Sequence, residues 1–135
     1  MRKQFLIGLA FAVMAAAAVS MGYAAEPDYA PQVSNEGGVK VTVTPRISST
    51  AKAWDFQVVM ETHTRGLGDD LAKVSVLIAD GRQYLPVGWE GAPPGGHHRK
   101  GKLRFKAVAP QPKSMELQIR LAGDASPRSF KWPVK

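Results

Sequence analysis

Three histidines, His63, His97 and His98, are the only imidazoles in this chain of 135 residues, and all three fall in segments without strand periodicity. A neutral imidazole is a common metal ligand, so three brought to one place suit Cu(II) or Zn(II), with water, Glu90 or Asp69 completing the shell. His97 and His98 are adjacent, and neighbouring side chains on an extended chain point apart. Both reach one ion only if the chain kinks there, which Gly95 and Gly96 permit. The other reading is a latch. Imidazoles in a long loop hydrogen-bond carbonyls and hold the loop against Trp89, with Arg99 pairing to Asp69, Asp70 or Glu90.

Other chemistry finds little to work with. The absence of cysteine excludes disulfides, thiolate metal sites, Fe–S clusters and a cysteine nucleophile. None of Ser34, Ser48, Ser49, Ser75, Ser114, Ser126 and Ser129 sits in a G-x-S-x-G elbow, and no P-loop, dinucleotide fingerprint or H-E-x-x-H occurs. Asp69-Asp70 reads as turn and capping chemistry rather than as a general acid and base. Met60 and Met115 fall in phase with apolar strand faces, which makes them core filling and not Cu(I) ligands. No catalytic residue is expected, and the chain is not read as an enzyme.

The first residues are an address. Arg2 and Lys3 precede an apolar run from Phe5 to Val19, and Gly22 and Ala24 stand at the −3 and −1 positions of a small-residue exit. That is the layout of a signal peptide over residues 1–24, cut near Ala24; the alternative is an uncleaved leader that anchors the chain in a membrane. The expected compartment is the periplasm or the exterior, which argues against a nucleic-acid partner. Residues 25–98 carry 6 basic and 9 acidic groups, whereas residues 99–135 carry 10 basic and 2 acidic. A basic C-terminal third of an exported protein suits an acidic envelope protein or an anionic envelope component, or serves only as a solvated face.

The elements that must position these groups are strands. Residues 25–37 are polar, with two prolines and no period, and read as a flexible arm. From there residues 38–135 alternate. Val39, Val41 and Val43 share a face up to Pro45, and Trp54, Phe56, Val58 and Met60 share another. Val74, Val76 and Ile78 repeat at the same period and end at the turn signal Asp80-Gly81 before Gln83-Tyr84-Leu85. Leu103, Phe105 and Ala107 alternate with Lys102, Arg104 and Lys106, and Met115 to Leu121 and Phe130 to Val134 follow suit. About seven such runs without a helix indicate an all-β, immunoglobulin-like antiparallel β-sandwich. Two connections are not plain turns: Thr62 to Leu71, and Trp89 to Gly101, the latter long and aperiodic in so small a domain.

The ordered set Thr62-His63, Asp70-Leu71, Trp89-Glu90-Gly91, Gly95-Gly96-His97-His98-Arg99, Gly101, Leu103 and Phe105 resembles an uncharacterised family of bacterial exported domains. That family's pattern is TH, DL, W-x-G and GGHHR-x-G-x-L-x-F, closing on a strand like Arg128-Ser129-Phe130-Lys131-Trp132. The likeness spans about residues 54–133 and implies the fold, with no activity attached. The expectation is a non-enzymatic binding or assembly module without a cofactor. Its surface comprises His63, Trp89, Glu90, His97, His98 and Arg99, flanked by the basic strand at Lys102, Arg104 and Lys106. The alternative is a periplasmic copper or zinc protein using His63, His97 and His98.

Overall fold

Alternating rows of apolar side chains are buried only if two sheets close over them, and they do. The computed structural model describes residues 29–48 and 50–135; the expected leader over residues 1–24 and its expected cleavage site lie outside them. Among the described residues there are nine strands: β1 (Gln32–Glu36), β2 (Val39–Arg46), β3 (Ala53–Thr62), β4 (Ser75–Ala79), β5 (Arg82–Tyr84), β6 (Gly88–Gly91), β7 (His98–Lys106), β8 (Ser114–Ile119) and β9 (Arg128–Pro133). A short helical turn, α1 (Leu71–Val74), precedes β4. One sheet has the order β1-β2-β3-β7-β6, the other β5-β4-β8-β9, and every pairing is antiparallel. Among the described residues no helix is long and apolar enough to cross a membrane.

Trp54, Phe56, Val58 and Met60 of β3 and Leu103 and Phe105 of β7 line the inner face of the first sheet, all of them buried. Met115, Leu117 and Ile119 of β8 and Phe130 and Trp132 of β9 meet them from the second. Phe56 packs edge-on against Phe105 at 5.6 Å and reaches Trp132 across the sheets at 6.0 Å. Each such ring or aliphatic chain, fully buried, contributes about 1.5–3 kcal/mol. Met60 and Met115 are both 1% exposed, as the phase of their strands requires.

Three expectations need correction. Residues 25–37 do not end as a loose arm, because Gln32–Glu36 pairs with β2 and Tyr29 is buried. Too few apolar residues mark β1; its neighbours, not its own pattern, make it a strand. On β4 the inward row is Ser75, Leu77 and Ala79, while Val76 and Ile78 face outward, half-buried. Both parities of that segment are apolar, so period two alone could not choose between them. Finally, the aperiodic stretch Trp89 to Gly101 is mostly strand: β6 takes its start and β7 its end, leaving only residues 92–97 as loop. Pro45 lies within β2 opposite Phe56, beyond the last residue that β1 pairs, where its missing N–H costs no ladder bond on that side. Asp80 and Gly81, with φ of 46° and 78°, form the two-residue turn joining β4 to β5.

Candidate functional site

Register decides which motif residues look inward. Trp89 stands opposite Leu103 and Gly91 opposite Gly101, so Trp89, Gly91, Arg99, Gly101, Leu103 and Phe105 share the inner face. A Cβ on Gly101 would lie 2.6 Å from Trp89 Cζ2 and 2.6 Å from the Glu90 carbonyl oxygen; one on Gly91 would lie 2.5 Å from Gly101 Cα. The two glycines therefore make the bed in which the indole lies. Its Nε1–H donates to the Ala92 carbonyl at 3.0 Å.

Beside the indole lies Arg99, 1% exposed, its guanidinium carbon 5.6 Å from the ring centroid. Its Nη1 donates to the carbonyls of Leu67 (3.2 Å) and Asp69 (2.7 Å), and Nη2 to that of Ala92 (3.3 Å). Burial lowers its pKa, and the charges of Asp69 and Asp70 oppose that effect. The latch expected from the imidazoles and from an Arg99–carboxylate pair is not the one formed: Arg99 joins the two connections through main-chain carbonyls instead. Arg99 is thereby removed from any contact surface, and Trp89 is half-buried under it.

Main-chain bonds complete the joint. Leu67 N–H donates to Gly96 O (3.0 Å), Gly95 N–H to Leu67 O (2.8 Å) and Thr62 N–H to His97 O (3.0 Å). The Thr62 hydroxyl donates to Gly38 O at 2.8 Å, and Asp70 caps α1 by accepting from Ala72 N–H at 3.1 Å while Leu71 is fully buried. Asp69 accepts from Ala122 N–H, and Arg65 donates to Ala122 O, tying in the loop before β9. The two unusual connections thus meet at one end of the sandwich.

His63, His97 and His98 sit exposed on the rim of this joint. His98 Nδ1 lies 3.7 Å from Glu61 Oε1. Among the described residues no three His, Cys, Asp or Glu side chains group closely enough to hold a metal ion.

The basic strand is outward, as its alternation requires, but it is not bare. Asp55 of β3 stands opposite Arg104, and Glu90 of β6 opposite Lys102. Arg104 grips Asp55 with two bonds, Nε at 2.9 Å and Nη2 at 3.1 Å, and reaches Glu90 at 3.4 Å. These contacts raise its pKa, the Asp55 hydrogen bonds most. Lys102 Nζ lies 3.4 Å from Glu90 and 3.9 Å from Asp55. Asp55 was not singled out in the sequence, because only strand order puts it there. Lys106 is exposed at the end of β7 with no carboxylate within 4.0 Å among the described residues.

A second buried arginine also escaped the sequence reading. Arg128 is 2% exposed; it bonds Asp124 through Nε (3.0 Å) and Nη2 (3.3 Å) and the carbonyls of Val39 (2.7 Å) and Glu36 (2.9 Å). It pins the β1–β2 hairpin to β9. Its signal was the Arg128 position, in phase with Phe130 and Trp132 on an apolar row.

Comparison with protein-family models, with curated proteins and with solved structures gives no match for this chain.

Proposed function

We propose that this chain is an exported, non-enzymatic binding module of immunoglobulin-like fold, whose outer five-stranded face engages an anionic envelope component. Strand order supports the fold assignment. The orders β2-β3-β7-β6 and β4-β8-β9 follow the A-B-E-D and C-F-G arrangement of a constant-type immunoglobulin sandwich, with β1 and β5 added. The observation that carries the function is the charge of one flat face. Outward positions of β2, β3, β6 and β7 hold Lys40, Arg46, Lys100, Lys102, Arg104 and Lys106, six cations, against Asp55, Glu61 and Glu90, three carboxylates. Lys102 and Arg104 are engaged with Asp55 and Glu90 and Arg46 reaches only the Gln57 amide at 3.4 Å among the described residues, so Lys40, Lys100 and Lys106 are the ammonium groups available to a partner, with Arg46 beside them. A rigid sheet presenting unpaired ammonium groups attracts polyanions over about a Debye length, roughly 8 Å at physiological salt.

The test is co-sedimentation with vesicles of anionic phospholipid at increasing salt. Binding is expected to weaken about tenfold in a Lys40→Glu, Lys100→Glu, Lys106→Glu variant, and to fall steadily with ionic strength. Retention unchanged by both would sink the proposal. A second reading, copper or zinc binding by His63, His97 and His98, is favoured by the Thr62 to His97 main-chain bond that brings these residues to one rim. Titration with Cu(II) and Zn(II) against a triple histidine-to-alanine variant decides it: equal uptake by the two proteins removes that reading.

A further inference from the structure

The opposite face of the molecule carries a feature that the cationic face does not explain. Because the parity of β4 is inverted, Val76 and Ile78 lie on the outer surface of the four-stranded sheet, where a sandwich ordinarily places polar groups. Val74 and Val76 floor an open depression of about 410 Å³, with Leu85, 79% exposed, on its rim. Its walls include the amides of Gln83 and Gln118 and the cations Lys73 and Arg120, and no carboxylate lines it. Arg120 has no carboxylate within 4.0 Å among the described residues, and Lys73 only a 4.0 Å contact with the exposed Asp70.

The adjoining edge is open in a specific way. β5 pairs with β4 on one side only, and Gln83 faces Ile78 midway between Arg82 and Tyr84. In a two-residue hairpin that middle position is the non-hydrogen-bonded one, so the Gln83 N–H and C=O point to the free side. The far edge of the same sheet is different: the Gln32 side chain accepts from Lys131 N–H at 2.9 Å and donates to the Lys131 carbonyl, occupying the β9 edge as a strand residue would.

We propose that the β5 edge and the Val74–Val76–Leu85 depression together form a docking site for an extended peptide segment, apolar at its centre and flanked by carboxylates. The apolar floor takes a side chain, Gln83 supplies main-chain bonds, and Lys73 and Arg120 meet the flanking acids. Charge selects this occupant over a second copy. Two chains docked β5 to β5 would gather Arg82, Lys73 and Arg120 of both on one continuous sheet, with no acid in the depression to offset them. Three residues of edge offer few main-chain bonds, so the affinity expected is in the micromolar range or weaker.

The experiment is an amide NMR titration of the protein with two capped pentapeptides, acetyl-Asp-Val-Leu-Val-Asp-amide and its Lys-flanked counterpart. Saturable shifts confined to β4, β5 and Arg120, with the acidic peptide at least about tenfold tighter, support the site. A Lys73→Glu, Arg120→Glu variant should reverse that preference. Gln83→Pro should weaken the acidic peptide about fivefold or more with the melting temperature unchanged, since it removes a donor that the fold does not use. Equal affinity for both peptides, shifts elsewhere, or no binding overturns the proposal. So do peptide-independent shifts that grow with protein concentration, which would mean a second copy, and equivalent shifts from anionic vesicles alone, which would mean a lipid surface.

Discussion

A guanidinium taken out of water needs acceptors for its N–H groups, and the two buried arginines find them differently, Arg99 leaving its buried Nε without one among the described residues. Arg99 uses carbonyl oxygens from two loops and so fixes their positions without any anionic partner. Arg128 uses Asp124, whose side chain is only 7% exposed, together with carbonyls of the β1–β2 hairpin. Burial by itself raises the Asp124 pKa, but the Arg128 hydrogen bonds, the Leu121 N–H and the charges of Arg128 and Arg65 outweigh it and hold the carboxyl below its ordinary value. A carboxyl with a depressed folded-state pKa stabilises above its unfolded value, near 4, and that stabilisation is lost as pH falls through the folded-state value. Urea unfolding from pH 7 to 3 should therefore show stability declining at the acid end. Asp124→Asn should lower stability at pH 7 by about 3 kcal/mol, since it leaves a buried cation unpaired, and should flatten the acid decline. Glu116, also held low, chiefly by the Ser129 hydroxyl, leaves a residual slope in the variant. An unchanged profile would remove the pair from the account.

At the level of elements, β6 and β7 approach so closely over the Trp89 ring that glycine is required on both. Gly101→Ala places a Cβ within 2.6 Å of the Glu90 carbonyl and of the indole, and Gly91 Cα at 2.7 Å leaves no room to shift. Overpacking of this kind costs about 1–3 kcal/mol. Gly88, on the same strand as Gly91, has nothing within 4 Å of an added Cβ, so Gly88→Ala should change stability by less than about 0.5 kcal/mol. Chemical denaturation of the two variants checks the contrast, and equal losses would mean that strand propensity, not the indole bed, governs these positions. The W-x-G and R-x-G-x-L-x-F spacings acquire a physical meaning here. The alternate residues are the inner row of two neighbouring strands, and the intervening ones, Glu90, Lys100, Lys102 and Arg104, face solvent.

Across the whole molecule the charge asymmetry of the sequence is redistributed by the fold. The basic C-terminal third does not become a basic pole, because β7 is placed between β3 and β6, which bring Asp55 and Glu90 to Arg104 and Lys102. What persists is a moderate excess of cations on one broad face and an apolar, cation-flanked depression on the other. The proposed presentation of either face to an envelope partner requires that residues 1–24 act as an export leader. Expression of the full chain in a secreting bacterium should yield a product beginning at Ala25, read by intact mass. A Met1-bearing product in the membrane fraction would mean that the leader anchors the chain instead.

The sequence by itself determined the all-β class, the inner rows of β2, β3, β7, β8 and β9, the Asp80-Gly81 turn and the outward side of the basic strand. Each follows from local alternation or local turn chemistry, which a strand carries in its own residues. It also marked the residues at 62–71 and 89–101 as unusual. Tertiary structure alone decided what they do. Pairing order, which no single strand encodes, put Asp55 against Arg104, set Trp89 over Gly101, and brought the Leu67 and Asp69 carbonyls to Arg99. Face choice on β4 was equally out of reach, because Val76 and Leu77 are both apolar and only the opposing sheet distinguishes them. The histidines drew the eye by their rarity, yet the side chain that closes the joint is the arginine beside them, since its fork can satisfy three carbonyls from two loops at once.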